Sequence, residues 1–294
     1  MKSEKDISVQ RYESTKPSVV KGRSMSCRKR HLIIFATFIL QCAVFATEGT
    51  NPAAVAVDLT MSSVTRDLME TNTFEVTIPS SAVASAYKIE IKSSGGTTWH
   101  QLGTQKKMEA FVQRVAGKFK LRGSATISGV EKSSGEKDLE VRFPNATTIA
   151  ADTAVETARA ADWTAASGVG GDHNERGAYI YLDTKTGSYS VSKWPVGTFF
   201  ICNPSGSPTA DGTSADLIAG VSYYLGEYHH HATLRDANDV KNAANFPKGP
   251  SSGDTNAANG TGAPGLLRER HADEIVETGH TDYTYGPDRK ATPK

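Results

Sequence analysis

From about residue 55 to 144 the chain alternates apolar and polar positions in short runs. "TFEVTI" (73–78), "YKIEIKS" (87–93), "AFVQRV" (110–115), "KFKLRGSATI" (118–127) and "DLEVRF" (138–143) each repeat with a period of two. That period predicts strands with one buried face, and Gly/Ser/Lys turns such as "SSGG" and "KSSGEK" separate them. Regularly spaced strands of this kind predict a small antiparallel β-sandwich, Ig-like in character, over 55–144. Trp99 is expected in or against its core. No charged triad and no metal-spaced cluster falls in this block, which therefore reads as a binding or spacer module.

The period then lengthens. Residues 151–166 are Ala-rich, with Asp152 placed to cap the start and Gly168 to stop the end, which predicts one helix within a linking stretch at 145–170. Val155, Ala158, Ala161 and Trp163 are its expected core face. Strands return at 177–194, "GAYIYLDTKTGSYSVSKW", a hairpin around "DTKTGS". "TFFICN" is expected as a third strand, and "LIAGVSYYLGEYHHH" (217–231) as a fourth that runs into three histidines. Residues 234–265 read as loop with room for short helices, "RERHADEIVETGHTD" as a solvated helix or loop, and "YTYGPDRK" (283–290) as an edge strand. The expected class is thus mostly β, with an α+β domain over 171–290.

Charge changes the picture at one end only. The formal net charge is +1, but residues 1–31 hold nine Lys/Arg and three Asp/Glu, leaving 24 basic against 29 acidic groups after residue 46. A mildly acidic body argues against a nucleic-acid partner, which needs a basic face. The basic "CRKRH" precedes fifteen uncharged residues, "LIIFATFILQCAVFA", and then the polar "TEGTNP". This is the pattern of a secretory signal peptide over 1–46, cleaved near Ala46, with Met25 as an alternative start. If the segment stayed uncleaved it would be the chain's contact with a membrane. The expected location is secreted, periplasmic or cell-surface. Of Cys27, Cys42 and Cys202 only the last survives cleavage, so no intramolecular disulfide is expected.

The chemistry centres on "GEYHHHATL" (226–234). On a strand, His229 and His231 share a face while His230 points away, a sound arrangement for two ligands on one metal. Twenty residues on, "PSSGDTNAA" spaces Ser251 and Asp254 one helical turn apart, and Glu175 stands just before the hairpin.

Glu, then H-x-H at a strand end, then S-x-x-D is the ordered signature of the JAMM/JAB metalloproteases. The run "NERGAYIYLDTKTGSYSV … GEYHHHA … SSGDTNAA … GAPGLL … YTYGP" resembles a domain of uncharacterised function in that fold class. That domain occurs at the C-termini of bacterial secreted and Rhs-type toxin-like proteins. The resemblance covers about 172–290 and not 55–144, and it implies a JAMM/cytidine-deaminase-like α/β domain. It implies that His229, His231 and Asp254 bind Zn²⁺, that Glu175 is the general base acting on water, and that Ser251 donates to the developing oxyanion. The implied reaction is hydrolysis of a peptide or isopeptide bond in a peptide or protein substrate. The chain departs from the pattern in having Ala232 after the second histidine, in the long His231–Ser251 spacing, and in His230, which leaves open a register where His230 is the ligand. A non-enzymatic reading stands beside this one: a surface or secreted binding protein whose histidines form a metal-stabilised or degenerate site. A stand-alone toxin effector would use the same hydrolytic chemistry.

Overall fold

The computed structural model describes residues 55–103, 106–167, 171–198, 201–202, 204, 206–212, 217–231, 249–270 and 280–292. The expected signal segment and the Gly168 stop lie outside them. By contacts the chain divides into Met1–Thr47 and Glu48–Lys294, and all described residues belong to the second unit.

That unit begins with nine strands: β1 (Asp58–Met61), β2 (Thr65–Asp67), β3 (Thr71–Thr77), β4 (Ala84–Ser93), β5 (His100–Leu102), β6 (Met108–Val112), β7 (Gly117–Ile127), β8 (Val130–Ser133) and β9 (Lys137–Arg142). They form a three-stranded sheet, β1-β3-β6, and a larger one, β2-β9-β7-β4-β5, with β8 on β7. Leu59, Phe74 and Val76 of the first sheet share one core with Ile89, Ile91, Leu121 and Val141 of the second. Gly123 on β7 permits the close approach, since a methyl there would stand 2.8 Å from Val76 Cγ2. The five expected strands are present, whereas β1, β2, β5 and β8 are too short for their alternation to register. Trp99 is not in the core. It lies over the outer face of the larger sheet, with Lys92 Nζ and the Arg122 guanidinium 4.5 and 4.3 Å from its ring centre.

Two helices follow, α1 (Ala146–Ala151) and α2 (Thr153–Ser167). Asn145 caps the first by accepting from Thr148 N–H. Asp152 caps the second, Oδ1 accepting from the N–H groups of Ala154 and Val155. The buried stripe of α2 runs through Val155, Arg159, Asp162, Trp163 and Ala166, while Ala161 is exposed. Charged residues occupy the stripe because each is paired: Arg159 with Asp282 and Glu156, Asp162 with Tyr228 Oη and Lys193.

The last sheet contains β10 (Gly177–Asp183), β11 (Ser188–Lys193), β12 (Ser222–His231), β13 (Gly265–Arg270) and β14 (His280–Tyr285), in the order β11-β10-β12-β13-β14. Helix α3 (Ser252–Thr261) connects β12 to β13, which are parallel, while every other pair in this sheet is antiparallel. β13 corrects the expectation of a solvated stretch at its position. Arg268 and Glu269 are buried there, Arg268 held between Glu156 and Asp282. "TFFICN" gives only an isolated Thr198–Ile201 bridge among the described residues. One face of this sheet, with Ala178, Ile180, Leu182, Tyr223, Leu225, Tyr228 and Leu266, joins the same core as the first two sheets.

Past β14 the chain turns back across the molecule. Arg289 Nη1 donates to Asp67 Oδ2 and to the Phe143 carbonyl, and Lys290 Nζ donates to Asp211 and the Tyr224 carbonyl. Among the described residues strand outweighs helix, 46% to 16%, so the described part is mostly β. No helix among the described residues is long and apolar enough to cross a membrane, which leaves β-barrels unaddressed.

Candidate metal centre

Strand β12 carries the histidines, and a bulge decides which way they face. Ile180 pairs with Gly226 while the next residue, Tyr181, pairs with Tyr224, so Leu225 is the extra residue. Before the bulge, odd-numbered Tyr223 and Leu225 face the common core; after it, even-numbered Tyr228 and His230 do. Strict alternation from Tyr223 would have sent His229 and His231 inward. The bulge turns them, with Glu227, to the opposite face. Gly226 is needed because a methyl there would collide with the Pro264 carbonyl oxygen.

His230 is thereby a core residue. It is fully buried, its Nε2 lies 3.3 Å from the Arg159 carbonyl, and its ring stands edge-on to Trp163. Burial, first of all, pushes its pKa down to about 3. The register in which His230 joins the group on the other face does not occur.

His229 and His231 meet Asp254 from α3. His229 Nε2 is 3.3 Å from His231 Nε2 and 3.3 Å from Asp254 Oδ1; His231 Nε2 is 3.7 Å from Asp254 Oδ2. One ligand atom from each of the three lies within 4.8 Å of the other two, so the group can hold a metal ion. The far nitrogens are occupied. His231 Nδ1 is 3.4 Å from Glu269 Oε1, whose other oxygen accepts from Gly249 N–H at 2.7 Å. His229 Nδ1 is 3.0 Å from Tyr285 Oη, which in turn donates to Glu227 Oε1 at 3.3 Å. A carboxylate can only accept, so the His231 proton sits on Nδ1. The Tyr285 hydroxyl spends its proton on Glu227 and accepts from His229 Nδ1–H. The Nε2 atoms of both rings therefore face the Asp254 carboxylate.

Asp254 is oriented by its own helix end. Ser251 caps α3, its Oγ accepting from Asp254 N–H at 3.2 Å while Asp254 Oδ2 accepts from Ser251 N–H at 2.6 Å. This reciprocal capping box leaves Oδ1 free to face His229. Burial works to raise the Asp254 pKa, but the His229 contact and the two Ser251 contacts outweigh it and hold the carboxyl well below the usual range. Burial likewise works to lower the pKa of His231, yet the Glu269 bond and the charges of Glu175 and Asp254 leave it raised.

Glu175 precedes β10, held by backbone bonds to Thr198 and Gly197. Its side chain is buried within electrostatic range of His229, His231 and Asp254, with Cys202 beside it, whose thiol donates to the Arg176 carbonyl at 3.9 Å. Burial lifts its carboxyl above the ordinary range against the pull of both histidines. Cys202 is half-buried and lies at this site. Asp172 and His173, just upstream, form a turn in which Asp172 pairs with Arg176 and His173 takes a left-handed φ of 56°.

Of the five residues predicted from sequence, His229, His231 and Asp254 converge, Glu175 stands within their field, and Ser251 caps the helix that carries Asp254. Sequence reasoning missed Glu227, Glu269 and Tyr285. Glu227 had a usable signal, sharing a strand face with His229 two residues on; Glu269 and Tyr285 reach the site only through sheet pairing. A scan against protein families and a comparison with curated proteins find no match to this chain.

Proposed function

We propose that this chain is an exported zinc-dependent hydrolase of peptide or isopeptide bonds, with a JAMM-like C-terminal domain behind an Ig-like N-terminal sandwich. One observation carries the reading: two imidazole Nε2 atoms and a carboxylate oxygen face a common point while the Nδ1 atoms have partners of their own. The fit to zinc supports the choice of metal. Ligand bonds of 2.0–2.1 Å in a tetrahedron give ligand–ligand edges of about 3.3 Å, and the two His229 separations are both 3.3 Å.

His229, His231 and Asp254 would hold the ion, three protein ligands being the number that leaves a position for substrate or water. When bound, zinc supplies Lewis acidity, polarising a carbonyl and making water more acidic. Glu175 is the base: its carboxylate, kept out of bulk water, takes the proton of the attacking water and returns it to the leaving amine. Ser251 Oγ keeps its own proton available while accepting from Asp254 N–H, so it can donate to a developing oxyanion one turn from the ligand. Peptide or protein substrates follow from the resemblance, and export from the N-terminal pattern. A second reading has its own support: the Ser251 contacts close entirely within the α3 cap, which suits a metal-stabilised binding protein equally well.

Metal analysis of the purified chain tests the first step. Stoichiometric zinc in the wild type, lost in His229→Ala and Asp254→Ala but kept in His230→Leu, is the expected pattern. A metal-free wild type would sink the proposal. Cleavage of a fluorogenic peptide library by the zinc-loaded chain, abolished in Glu175→Gln with zinc retained, separates the hydrolase from the binding protein.

A further inference from the structure

We infer that Tyr285 and Glu227 are positioning residues for His229, fixing its tautomer and ring angle so that Nε2 is presented to the metal. The inference rests on the proposal that His229 is a ligand. It begins with a row across the sheet: Glu227 on β12 pairs with Gly265 on β13, and Gly265 pairs with Tyr285 on β14. Tyr285 thus sits two strands from Glu227, about 9–10 Å at ordinary strand spacing. A side chain on the middle strand would block the way. Residue 265 has none, and a methyl placed there would run into the Tyr285 ring. The phenol therefore lies flat across β13 and reaches β12.

At that end it meets two groups on one face of β12. Its hydroxyl is 3.0 Å from His229 Nδ1 and 3.3 Å from Glu227 Oε1, and its ring stands at 73° to the imidazole. A phenol is the right link because it accepts and donates at once. His231 obtains a carboxylate directly from Glu269; His229 obtains one through Tyr285. Leu267 and Ala258 pack on the Tyr285 ring, which is 6% exposed, so the hydroxyl has little freedom to turn elsewhere. The expected contribution of such an outer partner is about 10–100-fold in metal affinity.

The test measures zinc affinity of the full chain by competition with a chromophoric chelator, together with the visible absorption of the Co²⁺-loaded form. Tyr285→Phe keeps the ring over Gly265 and removes the hydroxyl; it should weaken zinc binding about 10–100-fold and change the Co²⁺ bands. Glu227→Gln keeps an acceptor for the phenol and should lose less than Tyr285→Phe, so affinity should rank wild type, Glu227→Gln, Tyr285→Phe. It also serves if Tyr285→Phe fails to fold, since Glu227→Gln with wild-type affinity and wild-type Co²⁺ bands then overturns the inference. Wild-type affinity and bands in Tyr285→Phe overturn it while leaving the metal site standing. A wild-type chain that binds neither ion overturns both.

Discussion

Gly226 stands against the carbonyl of Pro264, so close that no side chain fits between them. This contact joins the bulge in β12 to the end of the α3 connection, and the bulge sets which histidines face Asp254. Gly226→Ala should therefore cost about 1–3 kcal/mol through the overlap. It should also weaken zinc binding more than a loss of stability alone explains, because moving the carbonyl disturbs the bulge. Urea unfolding and chelator competition on the same samples measure the two effects. Unchanged zinc affinity in a destabilised variant would disconnect the bulge from the site.

Ser251 caps α3, and substitution can separate that from the role proposed for its hydroxyl in the reaction. Ser251→Ala removes the cap acceptor and should cost about 1 kcal/mol, with weaker zinc binding as Asp254 loses its orientation. Ser251→Asp restores the acceptor but has no proton to donate. Zinc binding returned by Asp, with peptide hydrolysis still absent, is the result expected if the hydroxyl serves the reaction. Hydrolysis restored along with zinc would assign Ser251 to the cap alone.

Cys202 should behave as an unreactive thiol. Burial first, and then the neighbouring Glu175 carboxylate, push its pKa far up, and the thiolate is the form that alkylates. Peptide mapping after iodoacetamide treatment at mildly alkaline pH should find Cys202 unmodified in the native chain and modified in urea. Glu175→Gln removes the nearest charge and should speed native labelling.

In the second sheet, away from His229, His231 and Asp254, Glu90 offers a pH-dependent test of the N-terminal sheets. It is buried with Lys88 Nζ at 2.7 Å and Arg122 Nε at 2.8 Å. Burial works to raise its pKa, but the hydrogen bonds and charges of these two cations outweigh that and hold it below the usual 4.5. A carboxyl with a lowered folded pKa stabilises the fold above its unfolded pKa and loses that contribution as the pH falls through the folded value. Glu90→Gln should thus cost about 1–2 kcal/mol at neutral pH, the partly exposed cations keeping it modest. The gap to wild type should close in acid, as followed by urea unfolding across pH.

The sequence made the grouping of His229, His231 and Asp254 legible through three local rules: period two on β12, one turn between Ser251 and Asp254, and a cap signal before α3. The bulge broke the first rule one step upstream without harming the result, since His229 and His231 share a face in either register. What the alternation could not say was which face, and Gly226 was the available clue, a glycine inside a strand. β13 escaped notice for a different reason. "GLLRER" reads as surface because Arg268 and Glu269 are charged, yet their partners are Glu156, 112 positions away, and His231. Charge hides a buried strand whenever its neutralising groups are remote in sequence. The α2 stripe misled in the same way, Arg159 and Asp162 taking inward positions that composition assigned to alanine.

The ties made by Arg289 and Lys290 have a bearing on how the chain acquires its structure. Arg289 closes on Asp67 across 222 positions, and Lys290 on Asp211 across 79. A ribosome completes the first two sheets long before it makes either cation. The early sheets must wait with Asp67 held by Arg142 alone, and the tie from Arg289 is strongly non-local, the kind of contact that slows folding. A nascent chain stalled short of Arg289 would accordingly lack the tie that joins its last residues to the first sheets.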